Sequence, residues 1–149
     1  MTGKPKILIV EDETAVAMMM TYLLTRAGCE VWAARTAKQG MRLAKDGEFN
    51  LITLNIVLPG TNGFEICRCL KQSPGLQGTP VVFVSVCPSE KDQRRAFELG
   101  ALDYIIKPFD AQDFVSRILS HARQANGVCH RLNKPFTSEG SISGPAFLI

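Results

Sequence analysis

A chain of 149 residues with 46% hydrophobic composition can close one well-buried core and is too short for two ordinary domains, so one domain plus a tail is the economical reading. The formal charge of +3 comes from basic residues scattered among acids, which leaves no basic stripe suited to nucleic-acid phosphates and argues against direct nucleic-acid binding. No apolar stretch is long enough to cross a bilayer, and Lys4 and Lys6 lead into a strand-like run instead of a signal-peptide core, so a soluble, cytoplasmic protein with no membrane partner is expected.

Lys6 to Val10 is a short apolar, strand-like run that ends in the acids Glu11 and Asp12. From Thr14 to Ala27 the residues Val16, Met20, Leu23, Leu24 and Ala27 recur at helical spacing, and Gly28 stands where a left-handed residue would stop the helix. Glu30 to Ala34 predicts the next strand. Thr36 with Gln39 makes a capping-box signature for a helix through Lys45, which stops before Gly47.

Asn50 to Leu54 predicts a strand, Gly63 to Lys71 a helix, and Ser73 to Gly78 a turn-rich link. Pro80 to Val84 is nearly unbroken valine and phenylalanine, which suits a strand buried on both faces of a parallel sheet. Ser89, followed by Asp92, caps a helix ending at Gly100. Leu102 to Ile106 is the fifth strand, and Asp110 caps a last helix with Phe114, Ile118, Leu119 and Ala122 on one face.

This alternation implies an α/β fold: a parallel, doubly wound sheet with right-handed crossovers and helices on both sides. Ligands of such sheets bind beyond the carboxyl ends of the strands. Glu11, Asp12, Asn55, Ser85 and Lys107 all fall there, so topology predicts their convergence. After about Arg123 the chain turns rich in Gly, Ser, Pro and Asn and shows no helical or strand period, so residues 124–149 read as a linker or tail, pinned by Phe136 or by Phe147, Leu148 and Ile149. Five cysteines, Cys29, Cys67, Cys69, Cys87 and Cys129, include no C-x-x-C pair, and reduced, mostly buried thiols are expected instead of disulfides or zinc. His121 and His130 read as surface residues.

The segments ILIVEDE, LNIVLPGTNGFEIC, VVFVS and GALDYIIKPF together resemble the receiver domain of bacterial two-component response regulators, over roughly residues 5 to 123. The resemblance implies a flavodoxin-like fold with strand order 2-1-3-4-5 and magnesium-dependent transfer of phosphate from a histidine kinase to an aspartate. Carried over by position, Glu11 and Asp12 would hold Mg2+ with the backbone carbonyl of Val57, and Asn55 would stand in the acceptor place. Ser85 would be the switch hydroxyl, Tyr104 the switch aromatic, Lys107 the lysine that contacts the phosphoryl group, and the Lys107-Pro108 bond would be cis. The implied partners are a sensor histidine kinase or an output-domain protein. A homodimer would use the fourth helix, fifth strand and fifth helix, a face that includes Lys91, Arg95, Asp103, Tyr104, Asp113 and Arg117.

Asn55 departs from that pattern. A carboxamide keeps the shape of a carboxylate and loses its charge and nucleophilicity, so no stable acyl phosphate is expected, and Glu11, Asp12 and Lys107 leave the pocket at a formal −1 with weakened Mg2+ affinity. Asn55 can still ligate through oxygen or donate through NH2 to Asp12 or Glu11. Two origins fit: a natural phosphorylation-independent receiver, or an ordinary receiver whose acceptor was replaced on purpose. The plainer readings are helix N-terminal acids for Glu11 and Asp12, a surface lysine for Lys107, a strand-end serine for Ser85, and a packed Tyr104 with a solvent-facing hydroxyl. A non-enzymatic signalling module is the leading expectation. A flavodoxin-like cofactor carrier is the alternative, disfavoured because Glu-Asp-Glu after the first strand would repel a flavin phosphate.

Overall fold

The computed structural model describes residues 3–128, with side chains through Gln124. Phe136, Phe147, Leu148, Ile149, His130 and Cys129, and with them the expected pinning of the tail, lie outside the described residues.

The elements follow in the order β1 (Lys6–Val10), α1 (Thr14–Arg26), β2 (Glu30–Ala34), α2 (Ala37–Asp46), β3 (Leu51–Leu54), β4 (Val57–Leu58), β5 (Thr61–Asn62), α3 (Gly63–Gln72), β6 (Val81–Ser85), α4 (Glu90–Glu98), β7 (Asp103–Ile106) and α5 (Ala111–Val128). The main sheet is parallel with order β2-β1-β3-β6-β7. Once the two-residue strands β4 and β5 are set aside, this is the flavodoxin-like order 2-1-3-4-5 that the resemblance implied.

Alternation along the strands divides the core into two layers. Leu8, Val10, Ile52, Leu54 and Phe83 face a layer with Ala44, Phe64, Cys67, Leu70 and Ala96 of α2, α3 and α4. Ile7, Ile9, Leu51, Val82, Val84 and Ile105 face the other, with Met20, Leu24, Phe114, Ile118 and Ala122 of α1 and α5. All of β3 and β6 is buried, as continuous apolar runs in central parallel strands should be, while edge strand β2 exposes Glu30, Trp32 and Ala33.

The punctuation read from the sequence has a structural counterpart at α1, α2, α4 and α5. Gly28 takes φ +97 behind α1. Thr36 Oγ1 accepts from Gln39 N at 3.1 Å, while Gln39 Oε1 reaches back to Arg35 N at 2.9 Å, a capping box displaced by one residue at its return bond. Ser89 Oγ accepts from Lys91 N and Asp92 N, and Asp110 Oδ2 accepts from Asp113 N.

Three departures have physical reasons. The hairpin β4-β5 was not foreseen: Pro59 and Gly60 turn it, with φ +75 at Gly60, in the proline-then-glycine arrangement of a type II turn. α5 continues past Arg123 to Val128, because a formed helix adds a hydrogen bond per residue without needing an apolar face. Asn50 lies just before β3, where its Oδ1 accepts from Lys6 N at 2.7 Å and joins the starts of β1 and β3. Among the described cysteines Cys29 and Cys67 are buried and Cys87 half-buried, while Cys69 is the exposed exception among thiols expected to be mostly buried.

Candidate functional site

β1, β3, β6 and β7 end side by side at the same edge of the sheet, which sets the backbones of Glu11, Asn55, Ser85 and Lys107 in register. Glu11 N donates to the Ala34 carbonyl, Asn55 N to the Val10 carbonyl, and Lys107 N to the Ser85 carbonyl. Glu11 is 1% exposed, Asn55 7% and Ser85 0%.

Asn55 is the hub. Its side-chain nitrogen donates to the Val57 carbonyl at 3.0 Å, Asp12 Oδ1 at 3.2 Å and Glu11 Oε2 at 3.3 Å. Glu11 Oε2 also accepts from Glu13 N, and its Oε1 accepts from Lys107 Nζ at 3.0 Å in an ion pair whose side chains are 2% and 8% exposed. The buried carboxylate therefore has a cation, a backbone donor and an amide donor, which is what makes a buried charge tolerable.

Hairpin β4-β5 presents the Val57 carbonyl, and α3 locks the segment behind it. Asn62 Oδ1 caps α3 by accepting from Glu65 N, and Gly63 N donates to the Ile56 carbonyl. A Cβ at Gly63 would sit 2.2 Å from the Asn55 carbonyl oxygen, so only glycine lets α3 start this close.

The resemblance implies a divalent ion, and the hard oxygens for one are gathered here. Yet Glu11 Oε2, Asp12 Oδ1 and the Val57 carbonyl all turn to one NH2 group, which points hydrogen, not a lone pair, into the space between them. Arranged so, these residues do not fit a divalent ion.

Ser85 and Tyr104, the expected switch residues, are also engaged. Ser85 Oγ accepts from Cys87 N at 3.1 Å. Tyr104 is buried against Phe83, with ring centroids 6.1 Å apart, and its hydroxyl donates to the Cys87 carbonyl at 2.6 Å, so the expected solvent-facing hydroxyl is corrected. Burial pushes the Tyr104 phenol above its ordinary value. The Lys107-Pro108 bond is cis.

A second charged cluster lies between β7 and α5. Arg117 donates to both Asp103 oxygens, to Asp113 Oδ2 at 3.1 Å and to the Tyr104 carbonyl at 3.2 Å, and His121 Nε2 meets Asp103 Oδ2 at 3.0 Å. His121 is thus a partly buried partner of Asp103, correcting its reading as a surface residue. Burial opposes ionisation of Asp103, but the hydrogen bonds from His121 and Arg117, with the guanidinium charge, prevail and hold the carboxyl well below the usual carboxylate range. Arg95 lies over the Phe64 ring at 4.4 Å. Sequence reasoning missed Cys87, whose backbone holds both Ser85 and Tyr104, and Gly63. The run Pro59, Gly60, Asn62, Gly63 was the available signal for the second.

The family model for the response regulator receiver domain matches residues 7–119. The response regulator ArlR of Staphylococcus saprophyticus is 35% identical over 119 residues, covering 80% of this chain and 53% of the relative. The transcriptional regulatory protein CusR of Escherichia coli K12 is 35% identical over 123 residues, covering 83% and 53%. The chain thus spans about half the length of the curated relatives it matches. Among solved structures, a CheY-like response regulator receiver domain protein from Methanospirillum hungatei superposes with TM-score 0.78 at 27% identity, covering 83% of this chain and 98% of that one. The non-phosphorylated HemR receiver domain from Leptospira biflexa gives 0.74 at 28%, covering 80% and 94%.

Proposed function

The chain belongs to the response regulator receiver domain family of two-component signalling, and we propose that it works there without accepting phosphate, through contact with protein partners. The observation that carries the reading is the amide nitrogen of Asn55, bonded to Glu11, Asp12 and Val57, at the position the resemblance matches to the acceptor's. In-line phosphoryl transfer needs an anionic oxygen there, and a neutral amide supplies none. Lys107 and Ser85 stand where the resemblance would have them meet phosphoryl oxygens; Lys107 is paired with Glu11, and Ser85 Oγ accepts from Cys87 N, an acceptor role that leaves its O–H as a donor. Tyr104, held to the same Cys87, ties the loop between β6 and α4 to β7.

Receiver domains in general bind magnesium. In this one the Asn55 NH2 takes up the oxygens an ion would need, and no step here depends on the ion. The working surface is α4, β7 and α5, for a second copy, a sensor histidine kinase or an output-domain protein. Phe97 is exposed on α4, Ile106 on β7 and Leu102 just ahead of β7, and Lys91 stands exposed on α4. Asp103, Arg117 and His121 serve one another and so shape the face more than they reach across it.

Intact-mass spectrometry after incubation with acetyl phosphate and MgCl2 tests the reading. The protein's mass stays unchanged, and Asn55→Asp gains a phosphoryl-sized increment. An increment on the unaltered chain that disappears in Asn55→Ala would refute it.

A further inference from the structure

We propose that the Asn55 amide is a built-in substitute for a cation, so that this receiver holds its phosphoryl-pocket geometry with no divalent ion and does not respond to one. The inference requires neither a kinase nor a partner, and its failure leaves the signalling reading standing.

Two carboxylates and a backbone carbonyl converge on one point at the sheet edge, an arrangement that repels itself unless something positive or hydrogen-bearing occupies the centre. Asn55 Nδ2 occupies it, within 3.0 to 3.3 Å of all three oxygens. Its two N–H groups are shared among three acceptors, as bifurcated bonds allow. The opposite amide orientation would set a fourth acceptor against the other three, so the network itself fixes which end of the amide faces inward. Lys107 neutralises Glu11 from the far oxygen, 3.0 Å away. Counting Glu11, Asp12 and Lys107, the pocket stands at a formal −1 with a hydrogen-bond partner for every inward oxygen. An entering ion must first displace or turn the amide and gains no third carboxylate in return.

Asn55→Asp reverses each term: the donor is lost, the formal charge becomes −2, and an acceptor faces Glu11 and Asp12 across the same short distances. That variant should need an ion where the parent does not.

Thermal unfolding of the full chain, in chelator and then in about 10 mM MgCl2 or NaCl of matched ionic strength, separates the two. The parent's midpoint shifts equally in both salts, to within about 1 °C, whereas Asn55→Asp starts lower in chelator and gains at least about 3 °C from magnesium alone. A magnesium-specific gain in the parent, or an Asn55→Asp midpoint that ignores magnesium, overturns the proposal. Should the variant not fold, calorimetric titration of MgCl2 into the parent decides: no saturable heat supports the substitution, and a saturable one-site isotherm sinks it.

Discussion

At Asn55 the exchange of a carboxylate oxygen for NH2 turns an acceptor into a donor, and the neighbouring residues are arranged around that donor. Glu11 depends on it only in part, because Lys107 carries the other half of its compensation. Lys107→Met should therefore cost about 3 kcal/mol by leaving a buried carboxylate without its cation, and adding Glu11→Gln should recover most of it. Urea unfolding of the four proteins of that cycle measures this, and a double variant no better than Lys107→Met would contradict it. Asp103 is the residue whose stability contribution depends on acid. Its native pKa is depressed, so the contribution is fully present above the ordinary aspartate value of about 3.9 and is lost as pH falls toward the native one. Asp103→Asn should lower stability at neutral pH and flatten the decline below about pH 4; unchanged acid limbs in denaturant series would refute the assignment. Glu11, Asp12, Asn55 and Lys107 were legible in the sequence because a strand end fixes a position. The Tyr104 hydroxyl and His121 were not, because their partners Cys87 and Asp103 are brought in by tertiary packing.

Elements were legible where local chemistry decides them. Thr36, Ser89 and Asp110 announced helix starts because a side-chain oxygen satisfies amides that the helix leaves open. Ser89→Ala should cost about 1 kcal/mol of stability, and a change near zero in chemical denaturation would count against the cap. Hairpin β4-β5 escaped notice because two residues per strand are too few for a periodic signal, although Pro59 and Gly60 mark its turn. The start of α3 depends on contact, not period. Gly63→Ala should cost about 3 kcal/mol, since its new Cβ would meet the Asn55 carbonyl and push Asn55 off Glu11 and Asp12. An alanine variant of parental stability would show that α3 can back away freely.

For the molecule as a whole, the order of apolar runs and the topology rules for parallel sheets specified the layers, while the surface was legible only as a mixture of charges. The pairing of Asp103 with Arg117 and His121 inside one chain redirects any test of self-association to residues not so engaged. Lys91→Glu should raise the dissociation constant of a dimer through α4, β7 and α5 at least about 5-fold in sedimentation equilibrium, and unchanged mass at every concentration would exclude that face. The central claim, an amide in the place of an ion, is tested most directly by the Asn55 side-chain NH2 signals in a 15N-resolved NMR spectrum, assigned by their loss in Asn55→Asp. The account predicts two distinct protons, slow to exchange with water and unmoved by magnesium chloride. Rapid exchange, or a magnesium-dependent shift of that pair, would contradict it.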